Sequence, residues 1–244
     1  MEHELWLTAF LNNILGRPVG GLLGMLGITV DFPGHPFTNY FSMELLVVLL
    51  LMALVTWLAS RLSADRPGKM QQVLEVIVDG LESQCEEIIG HGGKQFVPLL
   101  FTLALFIFLS NIIGEIPHLE TPTSFIEVTL GCALVVFTYY NFWGFRHHGP
   151  VNYLKTFLGP VWWLAPLMFL IELISHLARL LSLSVRLYAN MLAGENITQV
   201  FVSLVPVGLP AIFMAMHVAV GALQAFIFIL LTMVYLSGAV SEGH

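Results

Sequence analysis

The chain has 244 residues, of which 57% are hydrophobic and only 10% are Asp, Glu, Lys or Arg. A soluble domain carries about 25% charged residues. A mean hydropathy of +0.84, with the apolar residues gathered into long uninterrupted runs, excludes a soluble enzyme and points to a bilayer. The formal charge of −7 says little about partners, because the acids cluster locally, and no nucleic-acid partner is expected.

In chain order, residues 1–40 hold a short amphipathic piece and a Gly/Pro-rich loop, DFPGHPF, and form an outer-side N-terminal segment. The start, MEHEL, is acidic where a signal peptide is basic, so no cleavable signal is expected. Residues 41–244 read as a single transmembrane domain, with no internal repeat and no separate soluble unit. Residues 42–60 are the first run long enough to span a bilayer. Residues 69–89 change character. Met70, Val73, Leu74, Ile77, Val78, Leu81, Ile88 and Ile89 recur at three-four spacing against Glu75, Asp79, Glu82, Glu86 and Glu87. That pattern predicts an amphipathic helix lying on the membrane or against a partner rather than crossing it. Further spans follow at 95–114 and 125–145, separated by GEIPHLETPTS, and then the long apolar stretches 161–204 and 207–240, split by Pro206 and Pro210. The fold class is therefore all-α membrane protein, with five transmembrane helices and one interfacial amphipathic helix.

Loop charges orient the spans. Arg61, Arg66 and Lys69 follow the first, Lys94 precedes the second, and Arg146 and Lys155 follow the third, whereas GEIPHLETPTS has no Lys or Arg. The positive-inside rule then puts the N-terminus outside and, after five crossings, the C-terminus in the cytoplasm, with Arg17 alone on the outer side. The stretch 161–204 as one helix would measure about 66 Å and 207–240 roughly 50 Å. The hydrocarbon core is only about 30 Å thick. No proline interrupts the first between Pro166 and Pro206, so long, strongly tilted helices are expected. Cys85 and Cys132 form no CxxC pair and imply neither disulfide nor zinc.

The polar residues inside these two stretches carry the chemistry. Arg186, in LLSLSVRLYANML, has apolar neighbours on both sides and no nearby helix end to snorkel toward. An arginine at bilayer depth costs roughly 2.5–3.5 kcal/mol on insertion scales, so it persists with a counter-charge, a water-filled cavity or a function. A structural ion pair is the plain alternative. Arg179, seven residues earlier on nearly the same face, reads as snorkelling toward the surface. Glu195 lies nine residues after Arg186, on the opposite face and about 13 Å further along the axis. Glu172 lies fourteen residues before it, close to the same face and about 21 Å the other way. Two carboxylates displaced in depth about a fixed cation suit two separate half-channels. His217 and Gln224 share a face of the last span; helix–helix hydrogen bonding accounts for Gln224 equally well, whereas His217 can titrate.

The run ISHLARLLSLSVRLYANMLAGE resembles the corresponding stretch of subunit a of F-type ATP synthases. MHVAVGALQAFIFILLTMVYL and PTSFIEVTLGCAL resemble further stretches of that family in the same order, from Asn111 to the C-terminus. The resemblance implies an essential arginine at Arg186, a titratable outer pair at Glu195 and His217, and a glutamine near the arginine at Gln224. It also implies path-lining positions at Asn190, Glu172 (cytoplasmic side) and Asn111. Leu180 stands where the family usually has proline, Glu127 where many members have asparagine, adding a carboxylate near the outer opening, and Glu115 one residue from an acid of some members; both acids are further candidates for the proton path. The implied activity is proton translocation by a stator subunit past a rotor ring of small hydrophobic c-type subunits. Peripheral-stalk b-type subunits and lipid are the other implied partners, in a bacterial plasma membrane, with no cofactor. Arginine cannot hand over protons, so its implied role is electrostatic. No GxxxxGK[ST] occurs, so no nucleotide site is expected on this chain.

Alternatives are a sodium-coupled version of the same subunit, a stand-alone channel or transporter, an intramembrane hydrolase and a haem-carrying subunit. HExxH and GxSG are absent, which counts against the hydrolase. Among His118, His147, His148, His176 and His217 only His176 and His217 lie within spans as candidate axial ligands.

Overall fold

The computed structural model describes residues 5–16, 18, 19, 21, 36–63, 68–90, 92–116, 119–149, 153, 162–204 and 208–240. Arg17, Arg66, His118, Lys155 and Pro206, most of DFPGHPF and most of the segment between residues 150 and 161 lie outside the described residues. Within them the fold is all-helical, without strands.

Helix α1 (Trp6–Leu11) runs into a wider turn, Asn12–Gly16. The Asn12 amide ties this segment down: Nδ2 donates to the Phe37 carbonyl and Oδ1 accepts from the Phe37 N–H. It is thereby fastened beside the start of α2 (Asn39–Ala59), the first helix long and apolar enough to cross a membrane. The amphipathic helix α3 (Lys69–Ile89) follows. Its two halves have different fates. Leu81 and Cys85 are buried against the bundle, whereas Met70, Val73 and Ile77 of the same apolar stripe remain exposed. Burial, with Glu82 nearby, pushes the Cys85 thiol up to about 11. Lys94 then bridges back to Glu82 and Glu86, one turn apart on α3, at 3.2 and 3.6 Å.

Four further helices complete the bundle: α4 (Val97–Ile113), α5 (Ile126–His148), α6 (Ala165–Leu204) and α7 (Leu209–Val240). With α2 they make five helices, among the described residues, long and apolar enough to span a bilayer. Helix α6 is continuous over 40 residues, about 60 Å at 1.5 Å per residue. Nothing in its sequence after Pro166 interrupts the hydrogen-bond ladder, and leucine where a proline would break it keeps the helix whole at Leu180. A rod twice the hydrocarbon thickness fits a bilayer only by tilting or by running beyond it.

The core lies where α4, α5, α6 and α7 meet α3. Leu100 and Ile107, Val136 and Tyr140, Leu183, Leu187 and Met191, and Phe228, Met233 and Leu236 interlock there, with Leu81, Cys85 and Phe96. On α6 the buried residues His176, Leu183, Ser184, Leu187 and Met191 fall at helical three-four-seven spacing, so the helix offers the core one narrow stripe. The rest of its circumference is open: Ile171, Ile174, Leu177, Leu181 and Val185 are exposed. Helices α5 and α6 are antiparallel, as are α6 and α7. The C-terminal ends of α5 and α7 therefore share one end of the bundle with the N-terminal part of α6.

Candidate functional site: two polar clusters flanking an open arginine

Gly114 ends α4 and lets the chain fold back at close range: a Cβ there would stand 1.7 Å from Thr121 Oγ1. The short helical turn Pro122–Ser124 is thereby pressed against α4 and α6, bringing Thr121 and Ser124 beside Glu115 and Glu195. Glu115 pairs through Oε1 with His217 Nδ1, across from α7. Its side chain is only 12% exposed and that of His217 6%. Glu195 lies within electrostatic reach of both, close to Ser124, whose hydroxyl donates to the Thr121 carbonyl at 2.7 Å.

These groups line a cavity of about 410 Å³, together with Thr198, Gln199 and Ser203 of α6. A second cavity of about 230 Å³ shares His217 and Thr198 with it and runs along Gly194 and Ala193 to Asn190. The His217 ring lies against Gly194, whose missing Cβ makes the room; one built there would be 2.3 Å from Nε2. Asn190 Nδ2 donates to Gln224 Oε1 at 2.8 Å, which fastens α6 to α7 one turn beyond Arg186. A cavity with mainly apolar walls thus links His217 and Thr198 to Asn190, one turn from Arg186.

Arg186 is exposed on the open face of α6 and has no ion pair within the chain among the described residues. Its neighbours on that face are Val185, Ala189 and Ser182, all exposed. Arg179 is placed differently from the surface-seeking position its spacing allows: it is half-buried, its guanidinium 5.5 Å from the Tyr235 ring centroid in a cation–π contact.

The other cluster sits near the start of α6. Glu172 and His176, one turn apart, approach at 3.4 Å (Oε1 to Nε2), and His176 Nδ1 meets the Tyr140 hydroxyl at 2.6 Å. With Tyr153 and Arg179 they line a cavity of about 100 Å³.

The remaining sequence-selected residues do not line either cavity. Asn111 is 3% exposed and fully engaged: Nδ2 donates to the Gly221 carbonyl at 3.1 Å and Oδ1 accepts from Thr123 Oγ1 at 2.5 Å. It clamps α4 to α7 rather than lining the described cavities. Glu127 is exposed in the first turn of α5, where a carboxylate complements the helix dipole. Glu115, in contrast, is the acid that meets His217. His176 and His217 cannot ligate one haem iron, since His176 and Gly194, the neighbour of His217, are eighteen residues apart on α6, about 27 Å. Thr121, Ser124, Thr198, Tyr140 and His176 complete the clusters and were not singled out by spacing. Only the polar character of PTS, and a histidine one turn from an intramembrane acid, signalled them in advance.

The ATP synthase A chain family matches residues 41–237. The chain belongs to that family. It is 47% identical over 244 residues to ATP synthase subunit a of Koribacter versatilis, covering 100% of both chains. It is 45% identical over 233 residues to the same subunit of Solibacter usitatus, covering 96% of this chain and 99% of the relative. Over 198 residues it is 45% identical to that of Geotalea daltonii, covering 81% and 86%. The matched region contains every residue of both clusters and Arg186.

Proposed function

We propose that this member of the ATP synthase A chain family is the proton-translocating stator subunit of the synthase membrane sector. The observation that carries the reading is the guanidinium of Arg186, without an ion pair among the described residues, on an open face of α6 and flanked along that helix by two carboxylate–imidazole clusters. In this reading a ring of small hydrophobic c-type subunits, each with a membrane carboxylate, turns past the open face of α6. Near Arg186 that carboxylate is held ionised, because an adjacent cation favours the charged form. Its proton leaves through the Glu172 cluster toward the cytoplasm. It is replaced through the cavity of Glu115, His217 and Glu195, reached from the outer side, with Asn190 and Gln224 along the way. The guanidinium is a fixed charge that does not itself transfer protons, and it separates the two half-channels.

The exposed Arg61, Lys69 and Arg146 favour the cytoplasm for their helix ends, hence an external N-terminus and a cytoplasmic C-terminus in a bacterial plasma membrane. Peripheral-stalk b-type subunits and lipid are the further partners, and residues 41–244 act as one transmembrane unit. Each charge crossing the membrane field releases about 2.3 kcal/mol per 100 mV, so several must pass for each ATP.

The test is Arg186→Ala and Arg186→Lys in the complete enzyme reconstituted in vesicles, assayed for ATP-driven pumping and ATP synthesis with and without sodium. Both variants lose coupled transport. Retained coupled synthesis in Arg186→Ala sinks the mechanism, and sodium-dependent transport by the wild type replaces the proton by sodium.

A further inference from the structure

The Glu172 cluster contains more than a carboxylate. His176 is 7% exposed and Tyr140 2%, so the ring that contacts Glu172 is held inside the bundle rather than at its surface. The imidazole stacks on Tyr140, with centroids 5.6 Å apart and planes inclined by 22°, and Phe137 closes its edge at 6.4 Å. Beside Tyr140, the Asn141 Oδ1 accepts from Tyr153 Oη at 3.1 Å. Glu172, His176 and Tyr153 all face the cavity of about 100 Å³, room for roughly three waters at about 30 Å³ each. Among the described residues, the titratable and charged groups around the imidazole are Glu172 and Arg179 from α6, Tyr140 from α5 and Tyr153 from the segment after α5, with Tyr235 of α7 behind Tyr140. The two full charges, Glu172 and Arg179, are opposite in sign.

We propose that His176 is a proton relay between this cavity and Glu172. The inference rests on the reading of Glu172 as a proton site on the translocation path. The relay uses the tautomer in which His176 Nδ1–H donates to the Tyr140 hydroxyl at 2.6 Å, so that the Nε2 lone pair faces Glu172 at 3.4 Å. Protonated Glu172 gives its proton to Nε2, leaving a carboxylate beside an imidazolium. The imidazolium then releases that proton from Nε2 to water in the cavity and returns to the neutral ring. One proton moves and no charge stays behind. Nδ1 keeps its hydrogen and its bond to Tyr140 throughout, so neither ring has to turn. Each cluster then works with the same chemistry, a carboxylate facing an imidazole: within α6 at this end, and between α4 and α7 at the Glu115–His217 end.

The experiment uses the complete enzyme in vesicles, reading ATP-driven proton uptake, and passive proton conduction once the soluble sector is stripped, over a range of pH. His176→Gln keeps volume and hydrogen bonding but cannot take up a proton. It lowers passive conduction by up to about a hundredfold, the lower end of what a positioned acid–base group contributes. It also flattens the pH dependence that a titrating imidazole imposes on conduction. Tyr140→Phe leaves the relay nitrogen in place, so conduction falls less and the pH dependence keeps its shape. Copurification of the rotor ring checks assembly. Should His176→Gln not assemble, replacement of the imidazole by an isosteric triazole, which protonates only at much lower pH, decides. A pH profile displaced to lower pH supports the relay, and an unmoved one overturns it. Wild-type conduction in His176→Gln overturns it too, as does a loss in His176→Leu that His176→Gln restores, since the ring is then a spacer. If Glu172→Gln slows transport while His176→Gln does not, the relay alone falls. If Arg186→Ala keeps coupled synthesis, the underlying reading falls with it.

Discussion

Gly194→Ala probes the outer cluster with a single methyl group. The new Cβ would stand 2.3 Å from Nε2 and 2.4 Å from Cδ2 of His217, where ordinary contact begins near 3.5 Å. The ring therefore retreats by about 1 Å, or α6 and α7 part by as much. In an unobstructed helix Gly→Ala stabilises by about 0.5–1 kcal/mol. Overpacking typically costs about 1–3 kcal/mol, so the balance is destabilising by up to about 2.5 kcal/mol. The functional loss is larger than that number implies. His217 is held by Glu115 on its far side, and misplacing a transferring group by about 1 Å costs on the order of a hundredfold in rate. ATP-driven proton uptake into inverted vesicles, normalised to the amount of assembled complex, measures it. Gly131→Ala is the control, since a Cβ on that α5 glycine meets nothing within 4 Å, and it pumps normally. Wild-type pumping by Gly194→Ala, with an unchanged pH profile, refutes the reasoning.

The two acids near the α4–α5 link separate by geometry. Glu115→Gln, which removes the charge paired with His217, slows pumping at least tenfold, whereas Glu127→Gln on the exposed first turn of α5 stays within about twofold; these are order-of-magnitude expectations for a positioned proton-transfer group and a solvated one. Equal effects in the same vesicle assay count against the assignment of Glu115. Asn111→Leu keeps the volume but strands the Gly221 carbonyl and the Thr123 hydroxyl, at about 1–3 kcal/mol for each buried group left unpaired. The thermal inactivation temperature of the complex falls accordingly. Because Asn111 and Glu115 are one turn apart on one chain segment, as are Gly221 and His217 on α7, pumping falls with it.

How much of this was legible in the sequence depends on the range of the interaction. The five spans and the amphipathic α3 follow from apolar run length and three-four periodicity, which are local, and the uninterrupted α6 follows from the absence of proline. The axial order of Glu172, Arg186 and Glu195 is likewise fixed once that helix is continuous. Spacing along one helix says nothing about which residue of another helix lies opposite. So Asn111 could be placed on α4 from sequence but not paired with Gly221, and Glu115, in a link without periodicity, could not be paired with His217. Arg179 was open to the same ambiguity, and the ring that holds it, Tyr235, comes from α7. The apolar stripe of α3 promised one continuous contact surface. The bundle uses only the half around Leu81 and Cys85, because that half faces α4 and α7.

The bareness of Arg186 bears on why arginine, rather than another cation, suits this position. Its five N–H donors have no ion-pair acceptor in this chain among the described residues. The nearest carboxylates on α6 lie about 13 and 21 Å away along the axis, beyond the reach of one side chain. Of the polar neighbours a turn away, Ser182 carries no charge and Asn190 has committed its amide to Gln224. A guanidinium left this way at bilayer depth costs roughly 2.5–3.5 kcal/mol, and in the proposed mechanism that cost is relieved each time an acid is brought to it from outside the chain. A permanent internal partner would remove both the cost and the affinity for a passing carboxylate. Lysine would escape differently, since a desolvated ammonium gives up its proton and with it the charge. Arginine cannot take that route, so its field persists between visits, and that persistence is what keeps two half-channels apart in the proposed mechanism.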